Sequence, residues 1–134
     1  ICDEFYGITP EHGYGYGQDE DQGQLGAWYV MAAMGLFDVQ GGTNITPSYQ
    51  IGSPKFRKIT IQLDPRYYSG KTFVIGTENN APNHYYIQSA TLNGKPLEDC
   101  WFYRREMLNG GHLKLHMDAH PNTRWGVSSM PHSK

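Results

Sequence analysis

Three acids stand inside a glycine-rich stretch, Gly15-Tyr16-Gly17-Gln18-Asp19-Glu20-Asp21-Gln22-Gly23-Gln24, which opens directly into the uncharged run Leu25 to Phe37. In extended backbone, alternate side chains share a face, so Asp19 and Asp21 point together while Glu20 points away. At a rise of about 3.3 Å per residue the two carboxylates lie roughly 7 Å apart, a spacing that suits one water, one sugar hydroxyl or one cation. Partly desolvated, each negative charge raises the proton affinity of the other, which moves one of them toward general-base work. The flanking glycines permit backbone conformations closed to other residues and let a ligand approach closely. A plainer reading competes: Asp before a helix is a common N-cap, and acids there complement the helix dipole. On spacing alone, capping is the commoner outcome.

Those acids need a scaffold, and the rest of the chain supplies the elements. Residues 1–23, rich in Gly and Tyr and without periodicity, read as an irregular loop. Gln24 to Phe37 reads as one helix with Leu25, Trp28, Tyr29, Ala32 and Leu36 at helical spacing. Ala27, Val30, Met31 and Met34 fill its other faces. A helix apolar all round is a buried one, and it requires more protein around it than a small sheet provides. Gly35 and Gly41-Gly42 are the candidate stops.

Beyond a seam near residues 38–50 the texture changes to short strands: Lys58 to Leu63, Thr72 to Ile75, Tyr85 to Leu92, Lys95 to Leu97, Trp101 to Tyr103 and Leu113 to Met117. Asn93-Gly94 is a hairpin signal, and Arg105 to Leu108 reads as a helical turn stopped by Asn109-Gly110-Gly111. The tail from Pro121 reads as loosely ordered, with Trp125 as its anchor. The expected class is α+β, one buried helix followed by antiparallel strands. It divides into residues 1–40 with the acidic loop and helix, and residues 41–134 with the β-rich region.

Composition narrows the function classes. The 134 residues make one domain's worth of chain, and a net charge of −2 with scattered Lys and Arg argues against nucleic acid as a partner. The run Leu25 to Phe37 is too short to span a bilayer. Ile1-Cys2-Asp3-Glu4-Phe5 is acidic and lacks the apolar core of a signal peptide, as expected of a mature chain or a piece of something longer. Two cysteines, Cys2 and Cys100, leave one bridge and two thiols equally open.

Other constellations fare less well. An EF-hand starting at Asp19 requires glycine where Gln24 stands and an acid where Val30 stands. His112, His116 and His120 share a strand face but spread too far for one metal. No nucleophilic triad and no phosphate-binding glycine loop is present. Asn44-Ile45-Thr46 matches the glycosylation pattern, with Pro47 following. Tyr14 and Tyr16 are placed to stack on the apolar face of a sugar while the carboxylates and the Gln18 amide take its hydroxyls; Trp28 and Tyr29 fit a core better. An autonomous, non-catalytic carbohydrate-binding β domain is therefore one reading.

Four blocks in order resemble the C-terminal end of glycoside hydrolase family 92, the calcium-dependent, exo-acting α-mannosidases. They are Asp19 to Val30, Met34-Gly35-Leu36-Phe37, Tyr49 to Phe56, and Leu92-Asn93-Gly94-Lys95-Pro96. Gly26 stands where Ser or Ala is usual before Ala-Trp-Tyr. The resemblance implies a fragment of a larger two-domain enzyme, an N-terminal β-sandwich and an (α/α)6 barrel whose last helix lies here. It implies inverting hydrolysis of terminal α-mannosides on mannose-containing glycans, with Asp21 as general base and Asp19 orienting the water. Tyr14, Tyr16 and Gln18 become substrate contacts, and Ca2+ becomes the cofactor with ligands not assignable beyond indirect contacts of Asp19 and Asp21. Acid and base must flank the bond, roughly 6.5 to 9.5 Å apart, whereas Asp19 and Asp21 approach from one side. The general acid, a glutamate in the family, is therefore expected in an upstream part of the same enzyme. Its substrates imply a secreted, periplasmic or outer-surface location.

Overall fold

The computed structural model describes residues 1–7 and 23–131. Helix α1, Gln24–Met34, begins after Gly23 and ends at Gly35, both in the left-handed region (φ 78° and 72°). The Gly35 N–H donates to the Ala32 carbonyl at 3.0 Å, a glycine-terminated C-cap. A side chain is excluded there as well, because a Cβ on Gly35 would stand 2.7 Å from the Gly52 carbonyl oxygen and 2.8 Å from the Pro54 ring. The expected helix to Phe37 is thus corrected: Gly35 redirects the chain, and Leu36–Phe37 forms strand β1.

Strand β1 pairs antiparallel with β2, Ser48–Ile51, which pairs antiparallel with β7, Trp101–Tyr103. Between β1 and β2 the Asp38 carboxylate accepts the backbone N–H groups of Gln40 (3.0 Å) and Gly42 (2.9 Å), closing the connecting turn. The second sheet holds β3 (Lys58–Gln62), β4 (Thr72–Glu78), β5 (Tyr86–Leu92), β6 (Lys95–Leu97) and β8 (Gly111–Asp118), in the order β3-β4-β8-β5-β6. Here the wholly antiparallel expectation is also corrected: β8 inserts between β4 and β5 and runs parallel to β4, with Phe73 opposite Gly111 and Glu78 opposite His116. The short helix α2, Arg104–Leu108, stands between β7 and β8 where the helical turn was expected. Asn93 and Gly94 are both left-handed (φ 52° and 78°), as a two-residue hairpin turn between β5 and β6 requires.

Alternation along β8 sets the core. Leu113, Leu115 and Met117 are buried against Phe73, Ile75 and Ala90, while His112, Lys114 and His116 face outward. Phe102 of β7 stacks on Phe73 at 5.9 Å and 21°, joining the two sheets. Leu36, Met31 and Met34 pack on the same cluster, so α1 shares its core with the sheets. Trp125 is indeed the anchor of the tail: its indole N–H donates to the Leu97 carbonyl at 2.8 Å. Cys2 and Cys100 are both free, half-buried thiols.

Only Ala33 of α1 is buried, and Val30 remains 55% exposed. The all-round apolar helix expected to be buried has one side packed and the other bare in this chain.

Candidate active site

The sequence-derived site residues Tyr14, Tyr16, Gln18, Asp19 and Asp21 lie outside the described residues. What the structure describes is the frame on either side of them. On the C-terminal side Gly23 opens α1, its carbonyl accepting the Ala27 N–H at 2.9 Å. On the N-terminal side residues 1–7 lie along the same helix. Phe5 donates its N–H to the Ile1 carbonyl at 2.9 Å, closing a turn.

An aromatic contact fixes that turn. The Tyr6 ring stacks on Trp28, with centroids 5.2 Å apart and planes at 15°, and tilts against Tyr29 at 5.4 Å and 37°. Trp28 and Tyr29, read from sequence as core, are half-buried and receive Tyr6 on their outer side. Lys55 reinforces the arrangement: its backbone N–H donates to the Ala33 carbonyl at 2.9 Å, its ammonium pairs with Asp3, and it lies 6.0 Å over the Tyr29 ring. The hydrogen bond from Lys55 holds the Asp3 carboxyl below its ordinary range, and Asp3 in turn raises the Lys55 ammonium. The Asp3 carboxylate is largely in water and Lys55 partly so, and the pair orients more than it stabilises. The sequence reading singled out Tyr14 and Tyr16 and passed over Tyr6, Asp3 and Lys55. An aromatic heading the Gly/Tyr stretch was the available signal.

Beside α1 runs a cleft of about 720 Å3, lined in part by Asp3, Lys55, Arg57, Asn80, His84 and Tyr85. Two of its polar groups are engaged internally: the Ser53 hydroxyl donates to the Tyr85 carbonyl, and His84 Nδ1 lies 2.8 Å from the Asn79 carbonyl. Asp3 is the single carboxylate in its described lining, and Lys55 holds it ionised. Among the described residues, two-sided acid–base chemistry therefore has no second carboxyl in this cleft. Among the described residues no three His, Cys, Asp or Glu side chains come together to hold a metal. His112 and His116 stand on the outer face of β8, with His116 3.8 Å from Glu78, and His120 is paired with Asp118 at 3.1 Å.

Residues 1–119 match the model of the glycosyl hydrolase family 92 catalytic domain. An uncharacterized secreted glycosidase of Arthroderma benhamiae is 34% identical over 111 residues, which are 81% of this chain and 13% of that protein. A family 92 inverting mannosidase of Bacteroides thetaiotaomicron superposes with a TM-score of 0.76 at 38% identity, over 95% of this chain and 16% of that one. A family 92 α-mannosidase of the same bacterium gives 0.79 at 29% identity, over 96% and 16%. The chain thus spans about one sixth of its solved relatives and 13% of the curated one.

Proposed function

The chain belongs to glycosyl hydrolase family 92, and on that premise we propose that it is the C-terminal part of an inverting, exo-acting α-mannosidase, carrying the general-base side of the active site. The observation that supports this most is the match itself, which runs through the segment bearing Asp19 and Asp21 and continues into α1 and both sheets. In the proposed reaction Asp21 takes a proton from water as the water oxygen attacks the anomeric carbon. Asp19 orients that water, and an upstream glutamic acid protonates the departing glycosidic oxygen on the other face. The covalent chain keeps the Asp21 Cα within about 7 Å of Gly23, so the base is tethered to the start of α1. Tyr14, Tyr16 and Gln18 are its proposed sugar contacts.

The bare side of α1 supports its place as the last helix of an (α/α)6 barrel, covered by the upstream part of the same enzyme. In this division residues 1–40 belong to the active-site side and residues 41–134 to the β support. Ca2+ comes to the proposal from the family resemblance. Among the described residues no three His, Cys, Asp or Glu side chains form a cradle for it, and Asp19 and Asp21 are proposed as indirect contacts only. A mannose-containing glycan as the proposed substrate supports a location outside the cytoplasm, secreted, periplasmic or on the outer surface; the Arthroderma relative is described as secreted. No helix among the described residues is long and apolar enough to cross a membrane.

Proton NMR of the first product of the full-length enzyme on an α-mannoside tests the reading. β-Mannose appearing before mutarotation is the expected outcome. α-Mannose appearing first overturns the inverting assignment.

A further inference from the structure

We propose that the connection between β3 and β4 carries a second carbohydrate foothold, in which Tyr67 and Tyr68 stack on a neutral hexopyranose unit of a glycan while Ser69 and Asn109 take its hydroxyls. The concavity measures about 260 Å3 and is lined by Tyr67, Tyr68, Ser69, Arg105, Leu108 and Asn109. That is below the roughly 300 to 1,000 Å3 of pockets that enclose a drug-sized ligand, so it seats one ring from the side. Loop tips usually carry small polar residues, yet here Tyr67 is 75% and Tyr68 41% exposed. Their centroids are 6.4 Å apart with planes at 58°, so neither ring covers the face of the other. Arg66 lies over one face of Tyr67, 5.6 Å from its centroid, and the opposite face is left to a ligand. The site is independent of the assignment of Asp21; that its occupant is a mannosyl unit rests on the proposed function.

The platform is held before any ligand arrives. Tyr67 and Tyr68 both donate their backbone N–H groups to the Asp64 carbonyl at 3.0 Å, and the Arg66 N–H donates to the Asp64 carboxylate at 2.9 Å. The Gly70 N–H donates to the Leu108 carbonyl at 3.1 Å, and a Cβ on Gly70 would stand 2.3 Å from the Gly110 nitrogen, so the loop sits directly on the turn between α2 and β8. Across that seam the Ser69 hydroxyl donates to Asn109 Oδ1 at 3.2 Å, which leaves the Asn109 amide N–H groups as donors to a sugar oxygen. Little ordering cost then remains to be met on binding. Charge decides the class of ligand. The Arg66 guanidinium forks onto the Asp64 carboxylate at 3.1 and 2.6 Å, and Arg105 lies 3.5 Å from Glu106 and 4.3 Å over the Tyr103 ring. Both cations are matched within the chain, so an anion gains little here, whereas a neutral sugar offers C–H groups to the rings and hydroxyls to the rim. One shallow contact is weak alone and gains when another unit of the same glycan occupies the catalytic site, because the shared chain raises its effective concentration.

The test compares the full-length enzyme with its Tyr67→Ala/Tyr68→Ala variant in native gels containing α-mannan or polygalacturonate, and in assays on α-mannan and on a p-nitrophenyl α-mannoside. The variant is expected to run faster through mannan than the parent and to lose about fivefold or more in kcat/KM on mannan, while staying within about twofold on the small substrate. Tyr67→Phe, which keeps the ring face, is expected to match the parent, and polygalacturonate is expected to retard neither. Should the double variant fail to accumulate, Tyr67→Ala carries the same measurements. Equal mobility of variant and parent in mannan overturns the proposal, as does an equal loss on both substrates or retardation by polygalacturonate in place of mannan. A melting temperature lowered by several degrees with unchanged mobility also overturns it, since the rings then pack on the upstream part. Retardation by mannan that depends on Tyr67, in an enzyme inactive on both α-mannosides, supports the foothold and counts against the catalytic reading alone.

Discussion

Gly35 shows how much one residue decides. With φ at 72° and backbone of Gly52 and Pro54 where a Cβ would stand, it ends α1 and turns the chain into β1. Gly35→Ala is expected to cost about 2 kcal/mol or more, from the left-handed backbone and the clash together. Urea denaturation with an unchanged m-value and a lowered midpoint is the readout. The glycine was legible as a stop, yet the apolar Leu36-Phe37 after it carried the expected helix two residues too far, because period alone does not register backbone handedness. The carboxylates make a second residue-level prediction. Hydrogen bonds from Lys114 to Glu78, from Arg66 to Asp64 and from the His120 backbone to Asp118 hold these groups below their ordinary values. A depressed folded-state value contributes stability above the unfolded value and loses it as pH falls. The denaturation midpoint should be level down to about pH 5 and decline modestly below about pH 4, where free carboxylates take up protons. Glu78→Gln should flatten that decline, as midpoints measured along a pH series will report.

Among elements, β8 is the keystone of the larger sheet. It lies between β4 and β5 and contributes Leu113, Leu115 and Met117 to the core. Leu115→Ala is expected to cost about 2 to 5 kcal/mol, the range for truncating a buried leucine, whereas Lys114→Ala on the outer face should change little beyond its contact with Glu78. Calorimetry of the two variants side by side gives the contrast. The in–out alternation of this strand was plain in the sequence, and so were the Asn93-Gly94 hairpin and the Trp125 anchor. Its parallel partner was not. Pairing between β4 and β8 joins residues nearly forty positions apart, and a hydrophobic period of two is the same for either strand direction. The stacking of Tyr6 on Trp28 and Tyr29 was hidden for the same reason, being a contact across a segment rather than a pattern within one.

For the whole molecule, the bare side of α1 and the small share of its relatives that the chain spans point the same way. In the proposed reading the chain carries one side of a catalytic centre on a core of its own, and the other side belongs to the upstream part. Val30→Asp should leave the sheet core intact but weaken the full-length enzyme, lowering its melting temperature by several degrees while Lys114→Ala does not. The proposed site was legible as a pattern, since acids, glycines and the Ala-Trp-Tyr block stand together in the sequence, and its acids lie outside the described residues. The direction from which the general acid arrives was not, because no residue of this chain supplies it in the proposed mechanism. The assignment of Asp21 as base stands or falls on kcat/KM of the full-length Asp21→Asn enzyme on an α-mannoside. A fall of about 10²- to 10⁴-fold with the fold intact is predicted, and activity within threefold of the parent enzyme would contradict it.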